Sequence, residues 1–487
     1  MGAVNPPAPP PDLADLELSP AAMQQMGELV VRRAVAHLAA LGEMPSRGDI
    51  DAAAYCRTLR EPAPEQGSAL EPLLDHLFDD LVPRSFTTTG PGYLAYIPGG
   101  GVYPAALADF IADTTNRYTG IWLAAPALVQ LEANVLDWLR DWMGFPATTR
   151  GLLTTGGSMA MFNAIVCARE RLLGTDIRCG TLYTSEQAHH SIVKSARLAG
   201  IAADRVRTIA TDDAYRMRSE LLASAIAADR AAGLKPFIVV SSAGTTNTGA
   251  VDPLDAIADL CARERIWHHV DGAYGAFFHM VPELRPLLAG LSRADSLTLD
   301  PHKGMFLPYG TGALLVRDGA ALRAVHSSTA GYLPENQEEF YDPAQYGPEL
   351  SRGFPGLRVW LAVKMYGAAR YRAAVAEKRE LAMWGAEQVS RIPGIVMDAW
   401  PQLSLFAFHL EGKGLETREA QDAAARDLME GVTQRGRVMV TGSVIGGRFL
   451  GRVCVLSFRT RQREMEQCVE DIALESAAIL ERAAARG

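Results

Sequence analysis

The chain predicts an α/β fold with a mostly parallel sheet and a second, smaller domain, and three observations carry this expectation. Between about residues 150 and 320, short apolar runs alternate with helical stretches. Each of several apolar runs ends in a cluster of small and polar residues. The last third has strands and helices of its own.

The alternation reads GLLTT, TLYTS, FIVVSSA, WHHVDG and GALLVR for strands, with MAMFNAIVCARERLL and PLDAIADLCARER among the helices between them. Strands separated in this way pair in parallel, and ligands on such sheets bind at the carboxyl ends of the strands. The segments TTGGS, SEQAHHS, SSAGTTNTG, VDGAYG and DPHKG follow strands, so they are expected to converge on one edge. Ahead of this region, a Pro-rich tail over 1–18 precedes SPAAMQQMGELVVRRAVAHLAAL. Its apolar positions recur every three or four residues behind Ser-Pro, which predicts an amphipathic helix over about 19–42. Such an arm packs either on its own domain or on a second subunit. After the sheet region, a helix is expected around 356–376, then strands in LSLFAFHL and GRVCVLSF, and a closing helix near 463–484. The expected division is a tail (1–18), a helical arm (19–90), a large domain (91–365) and a small carboxyl-terminal domain (366–487).

Composition narrows the function. The 487 residues are 48% hydrophobic and 21% charged, which suits a globular enzyme with ample core. A net charge of −9 with no long Lys/Arg block leaves no footprint for a nucleic acid. The six cysteines (56, 167, 179, 261, 454 and 468) show no C-x-x-C spacing, so reduced thiols and a cytoplasmic setting are expected. The start lacks a basic and apolar leader, and Pro6 stands where a myristoylation signal needs Ser or Thr. The longest uncharged stretch, about 90–108, is too rich in Gly and Pro for a membrane helix.

Four clusters could do chemistry. Small residues in TTGGS (154–158), ahead of a helix, let backbone amides and the helix dipole meet an anion; an ordinary strand-to-helix turn would read the same way. Ser158 is not a nucleophile elbow, because Ala160 stands where G-x-S-x-G needs Gly. In SEQAHHS, His189 could stack on a flat ring or could be a buried, hydrogen-bonded histidine. The pairs His189-His190 and His268-His269 do not suggest a metal site, since neighbours on a strand point to opposite faces. Asp271 ends a strand beside Gly272 and Ala273, where a carboxylate could hold a pyridine nitrogen protonated or could simply end a turn. Lys303, in SLTLDPHKGM, follows an apolar strand, and partial desolvation there suits covalent amine chemistry. A surface lysine in a polar loop is the plainer reading of that one residue.

In this order the clusters resemble the group II pyridoxal-phosphate decarboxylases, the aromatic-L-amino-acid, histidine, tyrosine and glutamate decarboxylases. The resemblance runs from PGYLAYIPGGGVYPAALADFIADTTN through LVQLEANVLDWLRDWMGFP, TTGGSMA, YTSEQAHHSIVKSARLAG, GTTNTGAVDPL, IWHHVDGAYG, LDPHKG, LRVWLAVKMYG and GRVCVLSFRT, covering roughly 85–465. It implies the aspartate-aminotransferase-like type I fold, a homodimer with shared active sites and an intersubunit arm, and pyridoxal 5'-phosphate as cofactor. It further implies Lys303 as the Schiff-base lysine, Asp271 as partner of the pyridine nitrogen and His189 as the stacking ring. Ala273 would pack under the ring, Thr246 would line it, and Gly157, Ser158 and His302 would hold the phosphate. Tyr332, in AGYLPENQEEFYDP, matches the family's loop tyrosine, a proton donor. The implied reaction is decarboxylation of an L-amino acid to its amine and CO2.

Departures from the aromatic decarboxylases cluster on the expected substrate side. Gly304 follows the lysine where the family often has Trp, and Arg352 opens Arg-Gly-Phe-Pro where Arg-Arg-Phe-Arg is usual. Tyr96, Ile97 and Pro98 replace a common aromatic pair, and Tyr118 and Gly120 flank Thr119 where the lining is bulkier. Lost side chains are expected to enlarge the site or change its shape, so a bulkier amino-acid conjugate stands beside an aromatic substrate. The alternative outcomes are oxidative deamination to an aldehyde and β-elimination on a cysteine-type conjugate. Retention of His189 and Tyr332 favours plain decarboxylation. A catalytically silent binding protein would have no need of Lys303, Asp271 and His189 together.

Overall fold

The structure, a computed structural model, describes residues 16–48, 52–327 and 339–486. The chain divides into two compact units, Met1–Thr87 and Thr88–Gly487. In the first, Ser19 caps the helix Pro20–Ala40: its Oγ accepts from the Ala22 N–H at 3.2 Å, and Pro20 sits where no donor is needed. This helix buries none of its residues and leaves Met23, Val30, Val31 and Val35 exposed. Arg33 ties it to the short helical turns that follow, pairing with Asp75 at 3.3 Å and Asp79 at 2.8 Å.

The second unit holds a seven-stranded sheet. Its strands are β1 (Arg150–Thr154), β2 (Gly180–Ser185), β3 (Val206–Ile209), β4 (Lys235–Ser242), β5 (Trp267–Asp271), β6 (Ser296–Leu299) and β7 (Gly312–Val316). The order across the sheet is β1-β7-β6-β5-β4-β2-β3. Strand β7 runs antiparallel to both β1 and β6, while β6, β5, β4, β2 and β3 are mutually parallel. Six strands therefore share one direction, and their carboxyl ends lie on one edge, as the strand-and-cluster alternation predicts.

Both faces of this sheet are covered, which explains why its strands read as continuous apolar runs. Leu152, Ile238 and Leu314 pack with Met161 and Ile165 of the helix Gly157–Leu173. Their neighbours Leu153, Val270, Leu297 and Leu315 face the other way, onto Leu139, Phe277 and Phe278. This two-residue alternation fixes each strand's register. At the end of β4, the fully buried Asp252 carboxylate accepts from the Ser242 and Met217 N–H groups, each at 2.7 Å. Burial raises its pKa to about 6, against the pull of these two donors. The contact pins the strand end from which the next loop departs.

A four-stranded antiparallel sheet follows, in the order β10-β11-β9-β8, from β8 (Ile395–Ala399), β9 (Leu405–Leu410), β10 (Thr441–Ile445) and β11 (Arg448–Cys454). Its hairpin turns on Gly446 and Gly447, both at positive φ (56° and 75°), as a two-residue turn matched to strand twist requires. Phe406 and Phe408 of β9 pack with Leu428 and Val432 of the helix Arg418–Gln434 and with Met465 and Ile472 of the helix Gln462–Arg486.

The expected helix at 356–376 is longer, Pro355–Val389, and it carries a kink at Gly367 (φ 75°, ψ 151°). The expected division between 365 and 366 falls inside this helix, two residues before the kink. The helix buries Val359 and Val363 in the core of the large sheet and Leu381 and Ala386 in that of the small one, both within the unit Thr88–Gly487. Nothing lies within 4 Å of the place a Cβ on Gly367 would take, so a side chain there meets only backbone strain. Gly367→Ala is expected to lower stability by about 1–3 kcal/mol, seen as a lower denaturant midpoint at unchanged slope. An unchanged midpoint would show that the kink is not held in the native state.

Candidate active site

A cavity of about 260 Å³ opens at the carboxyl edge of the large sheet. Its floor begins where β1 ends. Thr154 Oγ1 donates to the Gly156 carbonyl at 3.0 Å, Gly156 takes φ 151°, and the helix Gly157–Leu173 starts with its amides directed outward. A Cβ on Gly157 would stand 3.0 Å from Asp300 Oδ2 and 3.2 Å from Ala273 Cβ. Glycine there keeps the helix start open, so free amides and the positive end of the helix dipole face the cavity.

Asp271, at the end of β5, accepts from the Ala273 N–H at 3.2 Å through Oδ1. Burial pushes its pKa up, and the Lys303 charge pulls it back down. Lys303 lies on the one-turn helix Pro301–Gly304 after β6, its Nζ 2.8 Å from Asp300 Oδ2. In the same turn His302 donates from Nδ1 to the Thr311 carbonyl at 2.8 Å, and its Nε2 lies 3.6 Å from Asp300 Oδ2. Burial lowers the pKa of His302.

His189 sits between β2 and the helix Ser191–Leu198. Its Nδ1 accepts from the Ser191 N–H at 3.3 Å and lies 2.7 Å from Ser191 Oγ. Burial, then the His190 ring and Lys303, lower its pKa to about 4, so it is a neutral ring at pH 7. The neighbouring His190 ring lies 4.2 Å away, centre to centre, tilted by 41°.

Gly157, Ser158, His189, Thr246, Asp271, Ala273, His302 and Lys303 all line this one cavity. The residues expected on the substrate side, Tyr96, Ile97, Pro98, Tyr118, Gly120, Gly304 and Arg352, do not line it. Two of these positions are closely packed. The space Gly304 leaves is filled, since a Cβ there would meet Phe277 at 2.6 Å. At Gly120 it would meet the Leu350 carbonyl at 2.2 Å and the Tyr118 ring at 2.8 Å. Small residues at these points admit packing neighbours. Arg352 is engaged: its guanidinium is 2.6 Å from the buried Glu132 carboxylate, to which it donates. Tyr96 and Tyr118 are partly exposed, and Ile97 and Pro98 are buried. Tyr332 lies outside the described residues.

Two residues were missed. Asp300 contacts the lysine directly, and its place three residues before Lys303 on a helical turn was the available signal. Arg452, buried on β11, donates to the Tyr96 and Thr246 carbonyls at 2.8 and 2.7 Å and so joins two loops near the site. A charged residue inside the apolar run GRVCVLSF was its signal.

Known proteins resemble this chain in sequence and fold. The model of the pyridoxal-dependent decarboxylase conserved domain matches residues 54–411. An aromatic-L-amino-acid decarboxylase of Bacillus atrophaeus is 34% identical over 94% of this chain and 96% of its own length. A phenylacetaldehyde synthase of Petunia hybrida is 28% identical over 90% of this chain and 91% of its own. The crystal structure of Oryza sativa TDC with PLP and tryptamine superposes with a TM-score of 0.91 at 26% identity, covering 95% of this chain and 99% of that one. With the matched domain spanning most of its length, the chain belongs to the pyridoxal-dependent decarboxylase family, enzymes that use pyridoxal 5'-phosphate to remove the carboxylate of an amino acid.

Proposed function

We propose that the cavity binds pyridoxal phosphate through Lys303 and decarboxylates an aromatic L-amino acid to its amine and CO2. One observation carries this reading: an amine, a strand-end acid, a neutral imidazole and an open helix start line the same cavity. These groups fit the cofactor's aldehyde, pyridine nitrogen, ring and phosphate in turn. The aromatic substrate is supported by the Bacillus relative and by the tryptamine in the Oryza structure.

When bound, pyridoxal phosphate supplies an electron sink for the pair left behind as CO2 departs. Lys303 supplies the amine that bonds to the aldehyde. Asp271 keeps a proton on the pyridine nitrogen, and a cation there favours the ionised form of an acid that burial alone would neutralise. The Gly157 and Ser158 amides take the phosphate. His302 assists only when doubly protonated, because its Nδ1 proton is already given to Thr311. Neutral His189 offers a ring face without charge, and Thr246 and Ala273 complete the walls. Tyr332 is the proposed donor of the proton that replaces the carboxylate, on its match to the family's loop tyrosine. We assign residues 91–365 to cofactor binding, 366–487 to the small domain and 19–90 to an arm in a cytoplasmic homodimer with shared sites. The exposed Met23, Val30, Val31 and Val35 support that role for the arm. Among the described residues, no helix is long and apolar enough to cross a membrane.

Incubating the enzyme with a panel of aromatic amino acids and bulky cysteine conjugates is expected to release CO2 and amine in equal amounts from an aromatic member. Aldehyde with ammonia and peroxide would instead place the chain with the Petunia-type synthases. Lys303→Ala is expected to abolish the absorbance band that the cofactor gives at the violet edge of the visible when bonded to a lysine; an unchanged band would move the covalent role elsewhere. Asp271→Asn is expected to reduce kcat roughly a hundred- to a thousand-fold, and a loss below tenfold would remove Asp271 from the pyridine nitrogen.

A further inference from the structure

Asp300 follows β6 directly and precedes the one-turn helix that carries Lys303, so carboxylate and amine face each other at 2.8 Å. The Asp300 side chain is 3% exposed, and its Oδ1 has no hydrogen-bond partner among the described residues. The other titratable groups that act on Lys303 are Asp271, His189, His302 and Cys454, and none of these is in ion-pair contact with it among the described residues. The same Oδ2 reaches to 3.0 Å from the place of a Cβ on Gly157, beside the helix start assigned to the phosphate.

Two consequences follow from these positions. An ammonium has no lone pair, so Lys303 bonds to an aldehyde only after leaving its ion pair and losing a proton. When it leaves, a buried carboxylate remains without an opposite charge, which opposes the departure. That carboxylate also repels an anion arriving at the neighbouring helix start. We propose that Asp300 is the ion-pair partner of the unbonded Lys303 amine, a positioning residue that holds it aside and slows its covalent bonding. Asp300 is not consumed. The ammonium gives its proton to solvent, the amine adds to the aldehyde carbon, and one water leaves.

This inference rests on Lys303 being the lysine that takes the cofactor, and its test separates the two. Full-length protein stripped of cofactor is treated with pyridoxal, which lacks the phosphate, and separately with pyridoxal phosphate. Samples are reduced with borohydride at timed intervals, and the label on the Lys303 peptide is measured by mass spectrometry. Asp300→Asn and Asp300→Ser are expected to speed pyridoxal labelling of Lys303 roughly tenfold, because a neutral side chain no longer holds the ammonium in an ion pair. The gain should be larger with pyridoxal phosphate, because the repulsion is also relieved. Asp300→Glu, which keeps the charge, should stay near the wild-type rate. Labelling by both neutral variants at or below the wild-type rate overturns the role of Asp300. Absence of label on Lys303 in every variant, with both reagents, overturns instead the assignment of Lys303 itself.

Discussion

The shared direction of six strands in the seven-stranded sheet is the constraint on which the site depends. The ends of β1, β2, β4, β5 and β6 and the segments just after them carry Gly157, His189, Thr246, Asp271 and Lys303, residues separated by up to 146 positions in sequence (303 − 157). They meet only because these strands end on one edge, and reversing any one would send its loop to the far side of the sheet. The apolar residues on both faces hold that register, so packing far from the cavity decides the chemistry in it.

Charge within the cavity is balanced at close quarters. Two carboxylates, Asp271 and Asp300, lie near one lysine, and an open helix start with a partial positive charge lies beside them. Burial disfavours ionised Asp271 and protonated His189, and each answer is local: Lys303 and the Ala273 amide for the acid, neutrality for the histidine. The site is thus arranged to receive a ligand with both a cationic nitrogen and an anionic group, which is the charge pattern of the family's cofactor.

Much of this was legible in the sequence. The strand-end clusters could be read because parallel sheets place polar loops after apolar runs, and the lining of the cavity follows them residue by residue. What could not be read depends on contacts between distant segments. Nothing in LDPHKG tells that Phe277 fills the space beside Gly304, or that Glu132, some 220 residues away, occupies Arg352. A missing side chain reads as room in a sequence, yet in a packed interior a neighbour takes the room. The long helix Pro355–Val389 was read through Gly367 but only to 376; its last turns pack Leu381 and Ala386 into the core of the small sheet, a contact between distant segments.

The chemistry proposed for the cavity depends on which lysine bonds the cofactor. Lys378 is a physical rival, since it is fully buried and burial lowers its pKa to about 8. It donates to the Thr460 carbonyl and pairs with Glu377, away from the strand-end cavity. Reducing the cofactor-loaded enzyme with borohydride and mapping the modified peptide decides between them. The cofactor's mass is expected on Lys303, and finding it on Lys378 with Lys303 unmodified would contradict that role.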